Sequence, residues 1–567
     1  MAAAKILWKF SSNLAAMEQH TYPHGLIGNC GFLALINRDT NIDWMCWPRF
    51  DSPYVFGKLI ARDRGGHFSV EPAQEEYACD QQYRSNTNIL ETTISTGEDA
   101  YRVIDFAPRF VQQGRYYRPL MLIRKVEPLR GLPRVKVCCN PVKGYAGESL
   151  DTERGSSHLR FHGLEETCRL STNISLNYIT DRSAFVLDRS YYLVFTYGAP
   201  LEGPIEKTVE DFLRETTQYW ENWIKSTSIG KYFQKAVIRS SLTLKICQYE
   251  DTGAIIASPT TSLPEAPGQG RNWDYRYSWM RDTYYTLTAF NHIGHFEEME
   301  RYFNFLTNIP TQEARRIQPL YSITGQAQLT EQQLDLPGYL GNQPVRVGND
   351  AYTHVQNDVY GQILLAILPL YVDQRFRPGS FQVTNYLLRG ILEKIATTIN
   401  EKDAGIWEFR GNALLHTYSS LFQWAGSAAG AKVAEQLQNP DLARMARALQ
   451  KRAAANVEKA YQPTLKAYSH AADSPYLDAS TLQLILMNYL SPQSDRAHSH
   501  LRALESELKA GKGLFYRYLH EDDFGKPANT FLVCGFWYAE CLAAVGRLEE
   551  AGEALEELIQ YGNHLGL

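Results

Sequence analysis

Hydrophobic and polar positions change rhythm once along this chain. From about residue 22 to 205 the apolar residues form short runs or alternate with polar ones. Examples are F-L-A-L-I-N, N-I-L-E-T-T-I-S-T, A-Y-R-V-I-D-F-A-P, P-R-V-K-V-C-C-N-P and Y-Y-L-V-F-T-Y-G. A period of two, often bounded by Gly, Pro, Asn or Asp, predicts β-strands. Many short strands at near-regular spacing predict an antiparallel sandwich. Residues 206–228 have helical spacing and few breakers, which predicts a linker helix. Beyond it the helical period recurs over 229–250, 280–294, 296–308, 354–372, 380–399, 415–437, 440–461, 478–490, 494–508, 530–545 and 547–564. Long segments with neither period fall at 251–279, 309–353, 400–414 and 509–529. Loops of that length in a compact domain are usually functional. The expected organisation is an extension (1–21), a β-sandwich domain (22–205), the linker helix and a helical domain (229–567).

Composition narrows the partners. A length of 567 residues suits two or three domains. The net charge is −5, without a basic stripe or polybasic run, which argues against nucleic acid and anionic membrane surfaces. No apolar run approaches the roughly 18 residues of a membrane span, and the N-terminus lacks a signal-peptide pattern. A cytoplasmic setting is expected. The nine cysteines are odd in number and contain no C-x-x-C, so buried free thiols are expected. The histidines do not cluster at ligand spacing, and no phosphate, dinucleotide or zinc-protease motif occurs. No metal or cofactor is expected.

The candidate chemistry lies in the long loops. Asn272–Asp282, N-W-D-Y-R-Y-S-W-M-R-D, interleaves aromatics with arginines and aspartates. A pyranose has an apolar face that stacks on rings and a hydroxyl rim that needs charged partners. A structural Arg–Asp pair at a helix start, beside core aromatics, is the competing reading. In Asp403–Gly411, D-A-G-I-W-E-F-R-G, Glu408 sits between Trp407 and Phe409. Apolar walls raise a carboxylate's pKa, as a general acid requires; a surface pair with Arg410 is the alternative. Arg517 lies between two tyrosines in Leu514–Gly525, and the acidic run Glu521–Asp523 after it reads as a solvated loop. His354–Gly361 brings polar groups to a helix start, where they could face a pocket or serve as caps. Asn41–Pro53, rich in Trp, reads as a turn closing the sandwich.

Together these segments, in this order, resemble glycoside hydrolase family 15, the glucoamylase family, in its two-domain bacterial or archaeal form. The stretch L-I-G-N-C-G-F-L-A-L-I-N-R-D-T-N-I-D-W-M-C-W-P-R-F-D-S-P is similar to that group's N-terminal signature. N-W-D-Y-R-Y-S-W-M-R-D, G-I-W-E-F-R-G, and Y-R-Y followed by F-L-V-C-G-F-W are similar to its later motifs. The resemblance implies a β-sandwich, a linker helix and an (α/α)6 toroid. It implies an inverting, exo-acting α-glucosidase that releases glucose from the non-reducing end of malto-oligosaccharides, trehalose or isomaltose-type substrates. By the same resemblance Glu408 is the general acid, and Arg281 and Asp282 grip the terminal glucose. Tyr275, Tyr277 and Trp279 line that subsite, Trp407 flanks the acid, and Arg517 is a second sugar-binding arginine. Ala528 stands where the family usually has an acidic residue. The family's catalytic base follows a run like Asn563–Leu567, so its counterpart is expected beyond Leu567. The toroid would then lack its last helix, and the chain would be a weak or inactive hydrolase. An inverting phosphorylase, which needs only the acid, and a non-catalytic sugar-binding protein are the alternatives.

Overall fold

The computed structural model describes residues 22–309, 316–376 and 381–567; the expected extension lies outside them. The first part is built from antiparallel strands. The largest sheet runs, in spatial order, Asp151–Arg154, His158–His162, Cys168–Thr172, Tyr191–Tyr197, Met121–Arg130, Asp99–Phe106, Leu90–Thr96 and Ala78–Tyr83. Leu90–Thr96 shows the expected alternation, each buried residue followed by a half-buried one. Asp151–Arg154 at the edge is charged and wholly exposed, which discourages pairing with another chain. A four-stranded sheet (His24–Gly28, Leu33–Asn37, Ile42–Cys46, Tyr54–Phe56) and a three-stranded one (Phe185–Val186, Arg134–Asn140, His67–Pro72) complete this part. Ile27, Phe56, Phe68, Val103 and Phe195 share its core. Trp47 stacks on Phe195 with ring centroids 5.0 Å apart.

The helix Ile205–Lys225 belongs to two cores. It buries Val209, Leu213, Thr216, Trp220 and Ile224, the stripe of a 3.6-residue period. Val209 and Leu213 pack with Ile104, Ile123 and Val194 of the large sheet. Trp220 and Ile224 pack with Leu242 and Ile246 of the helical part. One amphipathic helix thereby joins both layers.

In the helical part, Met280–Ile293, Val359–Ile367, Thr417–Gln436, Gln483–Leu486 and Leu532–Ala544 touch one another in chain order. The contact of Tyr285 with Trp537, 5.5 Å between centroids, joins the first of these helices to the last. Glu297–Asn308, Phe381–Thr398, Pro440–Glu458 and Leu548–Ile559 back this ring from outside. Gly361 and Gly426 let two ring helices meet backbone to backbone, since a Cβ on Gly361 would lie 2.0 Å from Phe422 O.

Several predicted helices are shorter than their period suggested, 229–250 being only Gln234–Ile246 and 547–564 only Leu548–Ile559, and two are broken. The 354–372 segment begins its helix only at Val359 and is divided before Pro369, which lacks an amide hydrogen and crowds the preceding turn. The 478–490 segment is a 3-10 turn, Ala479–Leu482, followed by Gln483–Leu486. No helix among the described residues is long and apolar enough to cross a membrane. The nine cysteines are all free, six of them buried.

Asn41–Pro53 does more than close the sandwich. Trp44 Nε1 donates to Pro259 O at 2.8 Å, and Ser52 O accepts from Arg276 Nη1 at 2.8 Å. This stretch therefore docks the helical part onto the strands, directly behind Asn272–Asp282.

Candidate active site

Asn272–Asp282 enters the site as extended chain, and side chains of an extended chain alternate in direction. Trp273 and Tyr275 line a cavity of about 670 Å³. Asp274 and Arg276 point the other way and are buried. Arg276 Nε and Nη2 donate to the two Asp274 oxygens at 2.9 and 2.7 Å, and Tyr145 completes the set. Ser278–Trp279 then pairs antiparallel with Leu320–Tyr321. That pairing delivers Arg281 and Asp282 to the first turn of Met280–Ile293, at the cavity wall.

Glu408 approaches from another loop. Its backbone is left-handed, with φ of 62°, a conformation that non-glycine residues rarely adopt. Its amide bonds to Gly405 O at 3.2 Å, and the next amide, of Phe409, bonds to Ala404 O at 3.0 Å. Glu408 Oε1 accepts from Trp279 Nε1 at 2.8 Å and from Arg281 Nη1 at 3.3 Å. The expectation of a carboxylate between apolar walls is thus incomplete, because a cation and an indole N–H hold it. Arg410 is not its partner; that guanidinium lies over Trp273, 4.4 Å from the ring centroid.

Arg281 also donates to Ile406 O at 2.8 Å and pairs with Asp282 at 3.1 Å. Burial disfavours its charge, but the carboxylates of Asp282 and Glu408 outweigh that and hold its pKa above the usual range. At Asp282, burial pushes the carboxyl up, the Arg281 charge opposes it, and Glu408 adds to the rise. Asp282 Oδ2 is itself buried, with Arg281 Nη2 as its charged neighbour at 3.1 Å. The rest of the Asp282 side chain lies at the cavity wall, the side chain as a whole being 34% exposed.

Trp407 forms another wall, its Nε1 bonded to Asp478 at 2.6 Å. Behind the loop lies a buried carboxyl pair. Burial and the charge of Asp358 push Asp403 up to about 7, and burial pushes Asp358 up to about 6 despite Arg281. Asp403 accepts from Ser419 Oγ at 2.6 Å, the Asn357 amide at 2.8 Å and the Gly405 amide at 3.2 Å. It fixes the start of the Glu408 loop.

The cavity brings together Tyr275, Arg281, Asp282, Trp407, Glu408 and Arg517. Tyr277 and Trp279 are buried outside its lining: the Tyr277 hydroxyl accepts from the Gly348 amide at 3.2 Å, and Trp279 reaches the site only through its N–H. Arg517 Nη2 pairs with Glu265 at 3.0 Å. The acidic run is not a solvated loop throughout. Asp522 bonds Arg271 at 2.6 Å with both side chains nearly buried, and Asp523 accepts two backbone amides of the Glu408 loop. All four long segments contribute to the cavity, 309–353 through Asn349 and Ala351, and His354 just beyond it also lines the wall. Trp273, Glu265 and Arg271 also line it and were not singled out from the sequence. Trp273 had a signal in its two-residue spacing from Tyr275, whereas Glu265 and Arg271 had none.

The sequence model of glycosyl hydrolases family 15 matches residues 231–563, and that of the trehalase-like N-terminal domain matches residues 5–183. A protein named trehalase from Thermoplasma acidophilum is 32% identical over 537 residues, spanning 93% of this chain and 91% of its own. Another, from Mycolicibacterium smegmatis, is 29% identical over 584 residues, spanning 96% and 86%. Among solved structures, a bacterial glucoamylase complexed with acarbose matches with a TM-score of 0.66 at 14% identity, over 96% of this chain and 89% of that one. The last likeness is one of fold, a β domain followed by a helical one. The chain belongs to glycosyl hydrolases family 15 and is a glycoside hydrolase.

Proposed function

We propose that this glycoside hydrolase acts on α,α-trehalose, cleaving it to two glucose molecules with inversion at the attacked carbon. Glu408 carries this reading. It stands in the cavity wall with Oε1 held by Trp279 and Arg281, beside Asp282, which pairs with the same arginine. In the proposed reaction Glu408 gives its proton to the bridging oxygen as the bond from that oxygen to the attacked anomeric carbon breaks. Water adds to that carbon from the opposite face, which inverts it, and its proton passes to solvent. Asp282 and Arg281 grip hydroxyls of the attacked glucose, Tyr275 and Trp407 pack on its faces, and Arg517 contacts its rim.

The other carboxylates lining the cavity are already engaged: Asp282 by Arg281, Glu265 by Arg517, Asp522 by Arg271, and Asp523 by backbone amides. We therefore assign Glu408 to the acid role and none of these four to water activation. The choice of trehalose over other α-glucosides is supported by relatives of that name that align over most of both chains.

The test is glucose release from trehalose, maltose and isomaltose, with trehalose binding followed by calorimetry. Trehalose is expected to bind and to yield glucose, with the first-formed β-anomer visible by NMR. Glu408→Gln should still bind trehalose while losing turnover. Glucose release from maltose but not from trehalose would reject the substrate, and an unimpaired Glu408→Gln would reject the acid.

A further inference from the structure

Glu408 lies in a loop whose two ends are held differently. Asp403, buried, fixes the start through the Gly405 amide. The amides of Glu408 and Phe409 turn back onto Gly405 and Ala404. The next two amides, of Arg410 and Gly411, leave the loop and meet the carboxylate of Asp523 at 2.5 and 2.9 Å, one on each oxygen. Two successive peptide planes immediately after the proposed acid are thus oriented by one side chain more than a hundred residues away. Gly411 permits that approach, since a Cβ there would lie 2.6 Å from Asp523 Oδ1.

Asp523 is itself held in place. Its neighbour Asp522 accepts from Arg271 at 2.6 Å and from the Tyr518 hydroxyl, and caps the turn through the Phe524 amide at 2.7 Å. Arg271 also donates to Gly525 O at 3.1 Å. Arg410 spans the same junction, its guanidinium 4.4 Å from the Trp273 centroid and 5.6 Å from that of Phe524. Arg271, Asp522, Asp523, Arg410 and Trp273 all line the cavity.

We infer that Asp523 is a positioning residue: through the Arg410 and Gly411 amides it sets the direction in which Glu408 presents its carboxyl, and Arg271–Asp522 hold it to that task. This inference rests on the acid role of Glu408. It assigns Asp523 no contact with the reacting atoms. Orientation of a catalytic group governs rate steeply, while affinity for the attacked glucose, assigned to Arg281, Asp282 and Tyr275, is little affected.

The test compares wild type, Asp523→Ala, Gly411→Ala and the double variant. Hydrogen exchange, read by mass spectrometry on peptides spanning 405–412, reports the clamp without any substrate. Asp523→Ala and Gly411→Ala should each accelerate exchange there. Each should lower kcat on trehalose roughly 10- to 100-fold with KM within about twofold. The double variant should be no worse than either single one, because both remove one contact. Asp523→Asn, which keeps one acceptor oxygen, should recover part of the rate. Unchanged exchange in Asp523→Ala, or accelerated exchange with unchanged kcat, overturns the inference, as does additivity in the double variant. If wild type turns over no α-glucoside, the acid role of Glu408 falls and this inference falls with it, although the exchange data still report whether the clamp exists.

Discussion

Two Arg–Asp pairs stand within nine residues of one another, and they do opposite work. Asp274 and Arg276 are buried, and every bond they can make across the joint between strands and helices is made or nearly so: to each other, to Ser52 O and to Tyr145. Arg281 and Asp282 pair at 3.1 Å but are partly open to the cavity, with side chains 17% and 34% exposed. Identical residue types in one motif thus become a structural anchor and a candidate ligand grip. The difference is set by which groups the fold brings to them. A pair closed in by partners from both layers holds the protein together, while a pair left partly open at a cavity wall leaves room for substrate.

The comparison can be broken most severely at the acid. Glu408→Gln should lower turnover of trehalose by about 10²–10⁴-fold while the melting temperature stays near wild type. A comparable loss of stability would place Glu408 with the anchors. Next is the buried pair. Asp274→Asn leaves Arg276 as an uncompensated buried charge and should cost about 3–5 kcal/mol in denaturant unfolding, with kcat per folded molecule little changed. If instead activity falls and stability holds, the division between the two pairs is wrong.

The buried carboxyls behind the loop give a pH signature. Asp403, pushed up to about 7, and Asp358, pushed up to about 6, hold protons in the folded state that the unfolded chain releases near pH 4. Their contribution to stability is therefore complete below about pH 4 and is lost as pH rises towards 7. The two titrate as a pair. Melting temperature against pH should fall less steeply across this window in Asp403→Asn than in wild type, and an identical slope would contradict the assignment. The smallest stability effect should come from Asp282→Asn. Its pair with Arg281 is partly open to the cavity and burial already disfavours its charge, so unfolding should shift by less than about 1 kcal/mol. KM for trehalose should nonetheless rise, because a charge-assisted bond to a sugar hydroxyl is lost.

The periods of two and 3.6 carried most of the architecture, because they report which face of each element is covered. They failed where a local event broke the element, as at Pro369, or where the helix gave way to a 3-10 turn, as at Ala479–Leu482. The motifs picked out the loops that form the cavity but not the direction of each side chain. Tyr277 and Trp279 look like Tyr275 in sequence, yet only Tyr275 lines the cavity. The partners of Glu408, Arg517 and Asp522 lie far away in the chain, at Trp279 and Arg281, at Glu265 and at Arg271. No local pattern encodes such pairings. They exist only after the strands have docked the helical part and brought four loops to one place.

The role proposed for Glu408 is delivery of the proton that breaks the glycosidic bond. Its most direct test is the rate of glucose formation from α,α-trehalose by wild type and by Glu408→Gln, at equal trehalose occupancy established by calorimetry. The account predicts equal binding and a rate at least about 100-fold lower in the variant. Equal binding with equal rates would contradict it.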